Sequence, residues 1–389
     1  MSKDGRLLQE TTHVRALDGL RGIAILLVLM MHTLHFESVR PFWSWIISGI
    51  KVGWIGVDLF FVLSGFLITR ILIQLRDAPN RASVFYGRRA LRILPGYFFY
   101  LLLTVPLLLF FAAPEHANLT REILPWLLVF GQNFYGALAD PGLNLGPLSQ
   151  LWSLAVEEQF YLLWPFLVWH VRTEQLASAA LMIVVLAVLC RLLLALADVT
   201  PHVSYVLPFT RMDGFAAGAW LAARQATAVT TMPGWLRPLP WAAALLLGLT
   251  LALGSSGWPQ GIWSMTLCLS LTPLIFAGLL HRTLVASPGS SLRALLSQPW
   301  LMFFGRHSYA LYLVHTGVSV LMMKLVLPEL REALPGNAGR LFIAVLTWLA
   351  AIALALLIDR YIDGPARKLK QRLQAAPMLV PLKRQAAYS

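Results

Sequence analysis

Apolar residues fall along this chain in long blocks separated by short polar gaps, and the blocks recur at lengths near 20 residues. A helix rises 1.5 Å per residue, so about 20 apolar residues cover the ~30 Å hydrocarbon core of a bilayer. The pattern predicts ten such helices, over residues 20–38, 53–75, 93–113, 151–169, 176–196, 205–223, 239–254, 262–280, 300–326 and 340–359. The expected fold class is therefore all-α, a polytopic membrane protein of about ten transmembrane helices. A further apolar stretch, from Ile123 to Phe134, is too short to span and reads as interfacial or re-entrant. Residues 1–14 read as a polar tail, 15–365 as one membrane domain and 366–389 as a basic tail, with no appended soluble domain. The first apolar block continues past signal-peptide length and lacks a small-x-small cleavage site, so it reads as a retained helix.

Composition agrees with lipid as the solvent. Apolar residues make up 58% of the chain and charged residues 13%, about half the usual share in soluble domains. The formal net charge of +13 does not point to nucleic acid, because the basic residues sit in short gaps between apolar blocks and in the tail. Arg15, Arg21, Arg70, Arg76, Arg81, Arg88, Arg89, Arg92, Arg360, Arg367 and Lys368 fall on one side of the predicted bundle, while Arg40, Lys51, Arg121, Arg331 and Arg340 fall on the other. The positive-inside rule then sets both termini in the cytoplasm. Cys190 and Cys268 lie within apolar blocks and read as small core residues, with no disulfide or metal site implied.

Ionisable residues inside spanning helices are costly and are functional candidates by default, against the alternative of an interhelical hydrogen bond that only fixes packing. Arg21 and His32 are separated by close to three helical turns, so they share one face about 16 Å apart along the axis. His32 would lie near the midplane with His35 one turn beyond, and an imidazole there can serve as a general base. Asp58 is either functional or a member of a buried ion pair, and Ser64-Gly65 reads as a close-packing site. Arg88, Arg89 and Arg92 form a cluster whose guanidinium groups suit phosphates, with anionic lipid headgroups as the alternative. Ser153, Glu157 and Tyr161 share a helix face, with Glu157 about 9 Å inside the outer surface. Arg211 and Asp213 are candidates to neutralise other buried charges. Ser308, Tyr312 and His315 lie along one face beside Tyr309, giving a second midplane histidine.

In that order these pieces resemble the membrane-bound acyltransferase-3 family, the O-acetylases that modify lipopolysaccharide, exopolysaccharide, peptidoglycan and some small glycosylated molecules. The matching segments are Arg21-x10-His32, Gly56 to Phe66, Arg88-Arg89-x-x-Arg92-Ile-x-Pro95, Leu151 to Tyr161, Thr210-Arg-x-Asp213 and Ser308-Tyr-x-Leu-Tyr-x-x-His315. The resemblance implies an acyl-CoA donor reached from the cytoplasm, acetyl-CoA as the family's commonest co-substrate, no bound cofactor, and transfer to a hydroxyl on a saccharide or glycosylated acceptor at the far side of a bacterial inner membrane. Near the C-terminus the family's Glu-x-Pro-x-Arg is here Asp363-Gly-Pro365-Ala-Arg367. Some members carry a periplasmic hydrolase-like domain that completes transfer. None is read here, so either this domain acylates the acceptor itself or a separate periplasmic transfer protein does.

On this reading Arg21, Arg88, Arg89 and Arg92 hold the donor. His32 takes the acceptor proton or helps form an acyl-enzyme, with His315 and Tyr309 close to the crossing point. Glu157 and Asp58 line the outer half and hold saccharide hydroxyls. The rival from another class is a proton-coupled exporter of a glycan or small molecule, because intramembrane His, Asp and Glu also serve proton coupling. Against it, the sequence has no paired half-repeats.

Overall fold

A computed structural model describes residues 3–34, 47–139, 145–229, 231–253, 258–259, 261–326, 336–366 and 368–369, with side chains from Arg15 onward. His35, Arg40, Arg331 and Arg367 lie outside the described residues. The described chain is helical throughout, with no strand among these residues. The ten expected segments map onto α1 (Lys3–Thr33), α2 (Ile55–Gln74), α3 (Arg81–Phe111), α4 (Leu151–His170), α5 (Thr173–Leu196), α6 (Met212–Ala226), α7 (Leu239–Leu253), α8 (Ile262–Val285), α9 (Ser308–Leu325) and α10 (Asn337–Ile358), although the start of the sixth lies before α6 on the short helices Pro201–Val206 and Pro208–Thr210. Among the described residues six helical stretches are long and apolar enough to cross a membrane: 15–33, 47–74, 81–111, 173–196, 262–285 and 337–366. The other four are shorter or more polar, and three of them carry candidate site residues in addition to those on α1, α2 and α3.

The structure refines the sequence expectation at one place and departs from it at another. The segment 123–134 is a pair of helices, Pro114–Leu128 and Gln132–Leu138, joined at Phe130 with φ of 55°. The ninth segment is not one helix. Pro299–Arg306 ends at His307, and α9 starts afresh at Ser308. The break turns His307 toward the last helical turns, where its Nδ1 meets the Asp359 carboxylate.

α2 is the axis of the bundle. It is buried along nearly its whole length, packing on α1, α4, α6 and α8. Helices in lipid gain little from hiding apolar surface, so small residues that admit close backbone contact hold them together. At Gly65 an added methyl would run into the Phe215 carbonyl of α6, and at Gly218 of α6 it would run into the Val62 carbonyl of α2. α1 and α2 are antiparallel, because Gly53 and Gly56 lie against Leu27 and Ala24. α9 runs parallel to α1, and Ser319 donates to the His32 carbonyl. α5 is apolar on all sides and mostly exposed, with Leu181, Met182, Val185 and Leu189 facing outward, the signature of a lipid-facing helix. The bundle thus has an end marked by Arg21, Arg89 and Arg92 and an opposite end marked by His32.

Candidate active site

On the arginine side, α1, α2, α3, α4 and α9 enclose a recess with about 610 Å³ of atom-free space, counting its open part. Arg21, Arg89 and Arg92 line it, with Glu157 and Tyr161 of α4, Ser64 of α2, and Ser308, Tyr309 and Tyr312 of α9. Arg89 and Arg92, three residues apart, share a face of α3, whereas Arg88 points elsewhere and does not line the recess. Among the described residues none of the three lining arginines forms an ion pair, and Arg89 rests over the Tyr161 ring at 5.0 Å. The other loop arginines have structural work. Arg76 donates to the Val168 and Val171 carbonyls at the end of α4 and to Thr173, and Arg81 donates to the Arg76 carbonyl.

Glu157 is the one carboxylate among the described lining residues. It accepts from Ser64 Oγ at 2.5 Å and from the Tyr161 hydroxyl. Ser64 is therefore part of the site, which corrects its reading as a packing residue; Gly65 alone has that role. The structure also corrects the position of Glu157, which faces the arginines and not an outer chamber. The depth count assumed that α4 starts at the membrane surface. Gln150 and Leu151 are already buried under the short helices between Pro114 and Leu138, so the helix begins inside.

On the other side of the bundle a second recess, with about 900 Å³ of atom-free space including its open part, is lined by His32, His202, Trp54, Trp152, Tyr205, Trp258, Gln132, Asn133 and Gln150, among others. The two recesses share Val57 and Tyr312 as a common wall. Tyr312 is held by a 2.6 Å hydrogen bond with Ser153 and by donation to the Gln150 carbonyl at 3.2 Å. Tyr309 donates to the Ile93 carbonyl at 2.5 Å, fixing α9 to α3.

His32 Nδ1 lies 2.9 Å from the Val28 carbonyl. A carbonyl only accepts, so Nδ1 carries the hydrogen of the neutral ring and Nε2 carries the lone pair. His315 is held the same way through Nδ1, at 2.8 Å from the Tyr312 carbonyl, and its Nε2 accepts from Thr316 at 3.2 Å. It is fully buried and lines neither recess. Its ring meets His32 edge-on, with centroids 5.0 Å apart. The two histidines are thus brought together, but only His32 opens on a cavity.

Asp58 lines neither recess, so the placing of its carboxylate against acceptor hydroxyls is corrected. It pairs with Arg211 at 2.7 Å, and Asp213 pairs with Arg191 at 2.6 Å, all four buried. Arg211 also lies against the rings of Tyr205, Trp152 and Phe61, at 4.9, 5.6 and 5.4 Å. Buried charge in an apolar bundle has to be matched by opposite charge, which is the ion-pair alternative for Asp58 and the neutralising role for Arg211 and Asp213.

Comparison with known proteins bears on this arrangement. The family model for the acyltransferase domain of type 3 matches residues 14–359. The chain belongs to the acyltransferase-3 family. It is 28% identical over 386 residues to the peptidoglycan O-acetyltransferase OatA of Listeria monocytogenes, covering 92% of this chain and 56% of that protein. A putative peptidoglycan O-acetyltransferase of Bacillus subtilis, YrhL, is 32% identical over 193 residues, covering 47% of this chain and 28% of that protein. The Staphylococcus aureus O-acetyltransferase OatA is 30% identical over 177 residues, covering 43% and 27%. This chain thus spans at most little more than half the length of these curated relatives. No solved structure matches it.

For an acyltransferase-3 chain, most of the residues flagged in the sequence converge: Arg21, Ser153, Glu157, Tyr161, Ser308, Tyr309 and Tyr312 meet around the arginine recess with Arg89 and Arg92. No group of three or more His, Cys, Asp and Glu side chains suited to a metal occurs among the described residues. Sequence reasoning missed Arg191, Gln132, Asn133 and Gln150. A lone arginine in the otherwise apolar 176–196 block, and a Gln-Asn pair inside the apolar stretch 123–134, were the available signals.

Proposed function

We propose that this domain is a multi-pass O-acyltransferase of a bacterial inner membrane that moves an acyl group, acetyl in the first instance, from cytoplasmic acyl-CoA to a hydroxyl of a saccharide acceptor. The observation that carries the reading is the convergence of Arg21, Arg89 and Arg92, none of them ion-paired among the described residues, on one recess. Three guanidinium groups against one described lining carboxylate leave this recess with an excess of positive charge, which calls for an anion, and guanidinium groups take phosphate oxygens bidentately. A CoA thioester supplies phosphates at one end and a reactive carbonyl at the other. With the phosphates at the arginines, the thioester points along the recess toward Ser153 and Tyr312.

His32 then acts from the other side of the shared wall. Its Nε2 takes the proton from the acceptor hydroxyl as that oxygen attacks the acyl carbon. The new C–O bond forms, the C–S bond breaks, and the departing thiolate takes the proton from the imidazolium, leaving ester and free thiol. Passage of the acyl group from the donor side to His32 requires the Tyr312 ring to turn aside. His315 is a positioning residue on this view, holding the His32 ring through their edge contact.

The test is release of CoA from acetyl-CoA by the full chain in nanodiscs with cell-envelope glycan fragments, with mass spectrometry of the product. The wild type should form an O-acyl ester, and His32→Ala at equal expression should lose it by about 10²–10⁴-fold. Near-normal acylation by His32→Ala would sink this role. Glycan flux in proteoliposomes with no thioester consumed would support the exporter instead.

A further inference from the structure

Between Gly214 and Pro328 the chain holds no aspartate or glutamate, although Arg224, Arg237, Arg282 and Arg293 fall within that stretch. Two of its helices end on the side of the bundle marked by Arg21. α6 runs parallel to α2, since Arg211 meets Asp58 and Gly218 lies against Phe66. α8 ends at the level of Gly19 of α1, because Arg293 donates to the Leu284 carbonyl and Leu296 packs on Gly19. Positive charge is therefore gathered at one end of the bundle, and these segments bring no carboxylate to balance it.

Between the ends of α6 and α8 lies a cavity with about 420 Å³ of atom-free space, counting its open part. It shares no lining residue with either recess. One wall is made by Arg224 and His281. Arg224 lies over the Trp220 ring at 4.9 Å and donates to the Thr231 carbonyl at 2.8 Å, which fixes the guanidinium plane. Among the described residues it forms no ion pair, and that bond uses one of its five N–H groups. The charges acting on His281 are those of Arg224 and Arg237, both positive. The opposite wall is apolar, with Leu221, Met232, Leu284 and Val285, and Val285 is 56% exposed at the rim. Next to His281, Arg282 lies over the Trp241 ring at 4.6 Å, and that ring is 60% exposed. Exposed indoles gather at the headgroup level of a bilayer, so the cavity opens where headgroups lie.

We propose that this cavity binds an anionic membrane lipid, its headgroup phosphate held by Arg224 and His281 and its chains leaving over Leu284 and Val285. A guanidinium takes phosphate oxygens through paired N–H groups, and basic pockets between membrane helices suit anionic headgroups. A metal cation would meet only positive charge here. A free phosphate satisfies the cationic wall and leaves the apolar wall uncovered, whereas a lipid covers both. A zwitterionic lipid brings its own ammonium to a site already flanked by Arg237 and Arg282. The assignment stands apart from the acyl-transfer reading, because the cavity lies outside both recesses.

Native mass spectrometry of the full chain, stripped of lipid in detergent and titrated with phosphatidylglycerol, tests it. One phosphatidylglycerol should stay bound at collision energies that remove all others, and phosphatidylcholine should bind roughly tenfold more weakly. Glycerol 3-phosphate, which has the phosphate without the chains, should not displace the lipid at equal concentration. Arg224→Gln and His281→Gln should each weaken the retained lipid about fivefold, the loss expected for one headgroup contact. Arg172→Gln, at an exposed arginine outside the cavity, should change nothing. Arg224→Gln also cuts the tie to Thr231, so His281→Gln, which breaks no hydrogen bond among the described residues, reads the site alone. An unchanged unfolding midpoint without lipid reports that the variant is folded. Wild-type retention by His281→Gln, an equal loss in Arg172→Gln, or phosphatidylcholine held as tightly would overturn the site. Displacement by glycerol 3-phosphate would overturn the lipid in favour of a soluble phosphate.

Discussion

Removing the Asp58 carboxylate alone is expected to harm the bundle more than removing both members of its ion pair. Asp58 and Arg211 meet at 2.7 Å, and with Arg191 and Asp213 they form a buried quartet of two positive and two negative side chains. Asp58→Leu leaves two guanidinium groups against one carboxylate, and a guanidinium cannot shed its proton. Stranding a buried charge in this way costs about 3–5 kcal/mol, whereas replacing a buried pair by packed apolar side chains is often neutral. Arg211→Met leaves an excess carboxylate, which can become neutral by taking up a proton, so its cost should be nearer 2 kcal/mol, roughly that of an unsatisfied polar group. In the double variant the remaining Arg191–Asp213 pair is balanced again. The assay is thermal unfolding of the full chain in one detergent, followed on its tryptophans. At about 2 °C per kcal/mol for a long chain, Asp58→Leu should lower the midpoint by roughly 6–10 °C and the double variant by less than half of that. Losses that simply add in the double variant would refute the argument, because the coupling between the two positions would then be absent.

Other expectations address the donor recess and the packing. Arg89→Lys keeps the charge but loses the planar fork, so the donor KM should rise about tenfold with kcat little changed; a fall in kcat alone would point away from phosphate binding. Glu157→Gln still accepts from Ser64 and Tyr161 but removes the recess's lining carboxylate, so CoA should bind several-fold tighter while transfer slows; unchanged turnover would count against Glu157. Gly65→Ala drives a methyl into the Phe215 carbonyl, which is backbone and cannot swing away. It should cost about 1–3 kcal/mol and reduce the monodisperse fraction in size-exclusion chromatography. Gly87→Ala, with nothing within 4 Å of the added methyl, should be silent in the same measurement.

Much of the fold is readable from the chain because lipid imposes a length on each apolar block, and that length is a local property. For this reason the apolar blocks lie on helical chain, although the sixth and ninth are broken and six stretches among the described residues have membrane-spanning length and apolarity. The Arg21–His32 relation is equally local: both belong to one helix, and its pitch alone sets them on one face, where they open on the two recesses. What the chain does not display is the partner of a side chain on a distant helix. Asp58 finds Arg211 across 153 residues, and Glu157 finds Ser64 across 93. No periodicity encodes either pairing. The depth of Glu157 was misread because counting from the start of α4 presumes that the start is at the surface. Gln132 and Gln150 were overlooked since amides in short connecting segments look like ordinary loop polarity until the cavity beside them is seen. Arg191 was visible as a lone charge in an apolar block, and a strict application of the cost of intramembrane charge finds it.

The charge quartet also sets an order on biosynthesis. Asp58 enters the membrane on the second helix, while Arg191 belongs to the fifth and Arg211 and Asp213 to the start of the sixth. At about 5–20 residues per second the ribosome needs roughly 8–30 s to supply the 153 residues between Asp58 and its partner. For that interval the central helix carries its carboxylate without Arg211. Closure of the bundle around α2 therefore waits for α6, which brings Arg211 to Asp58.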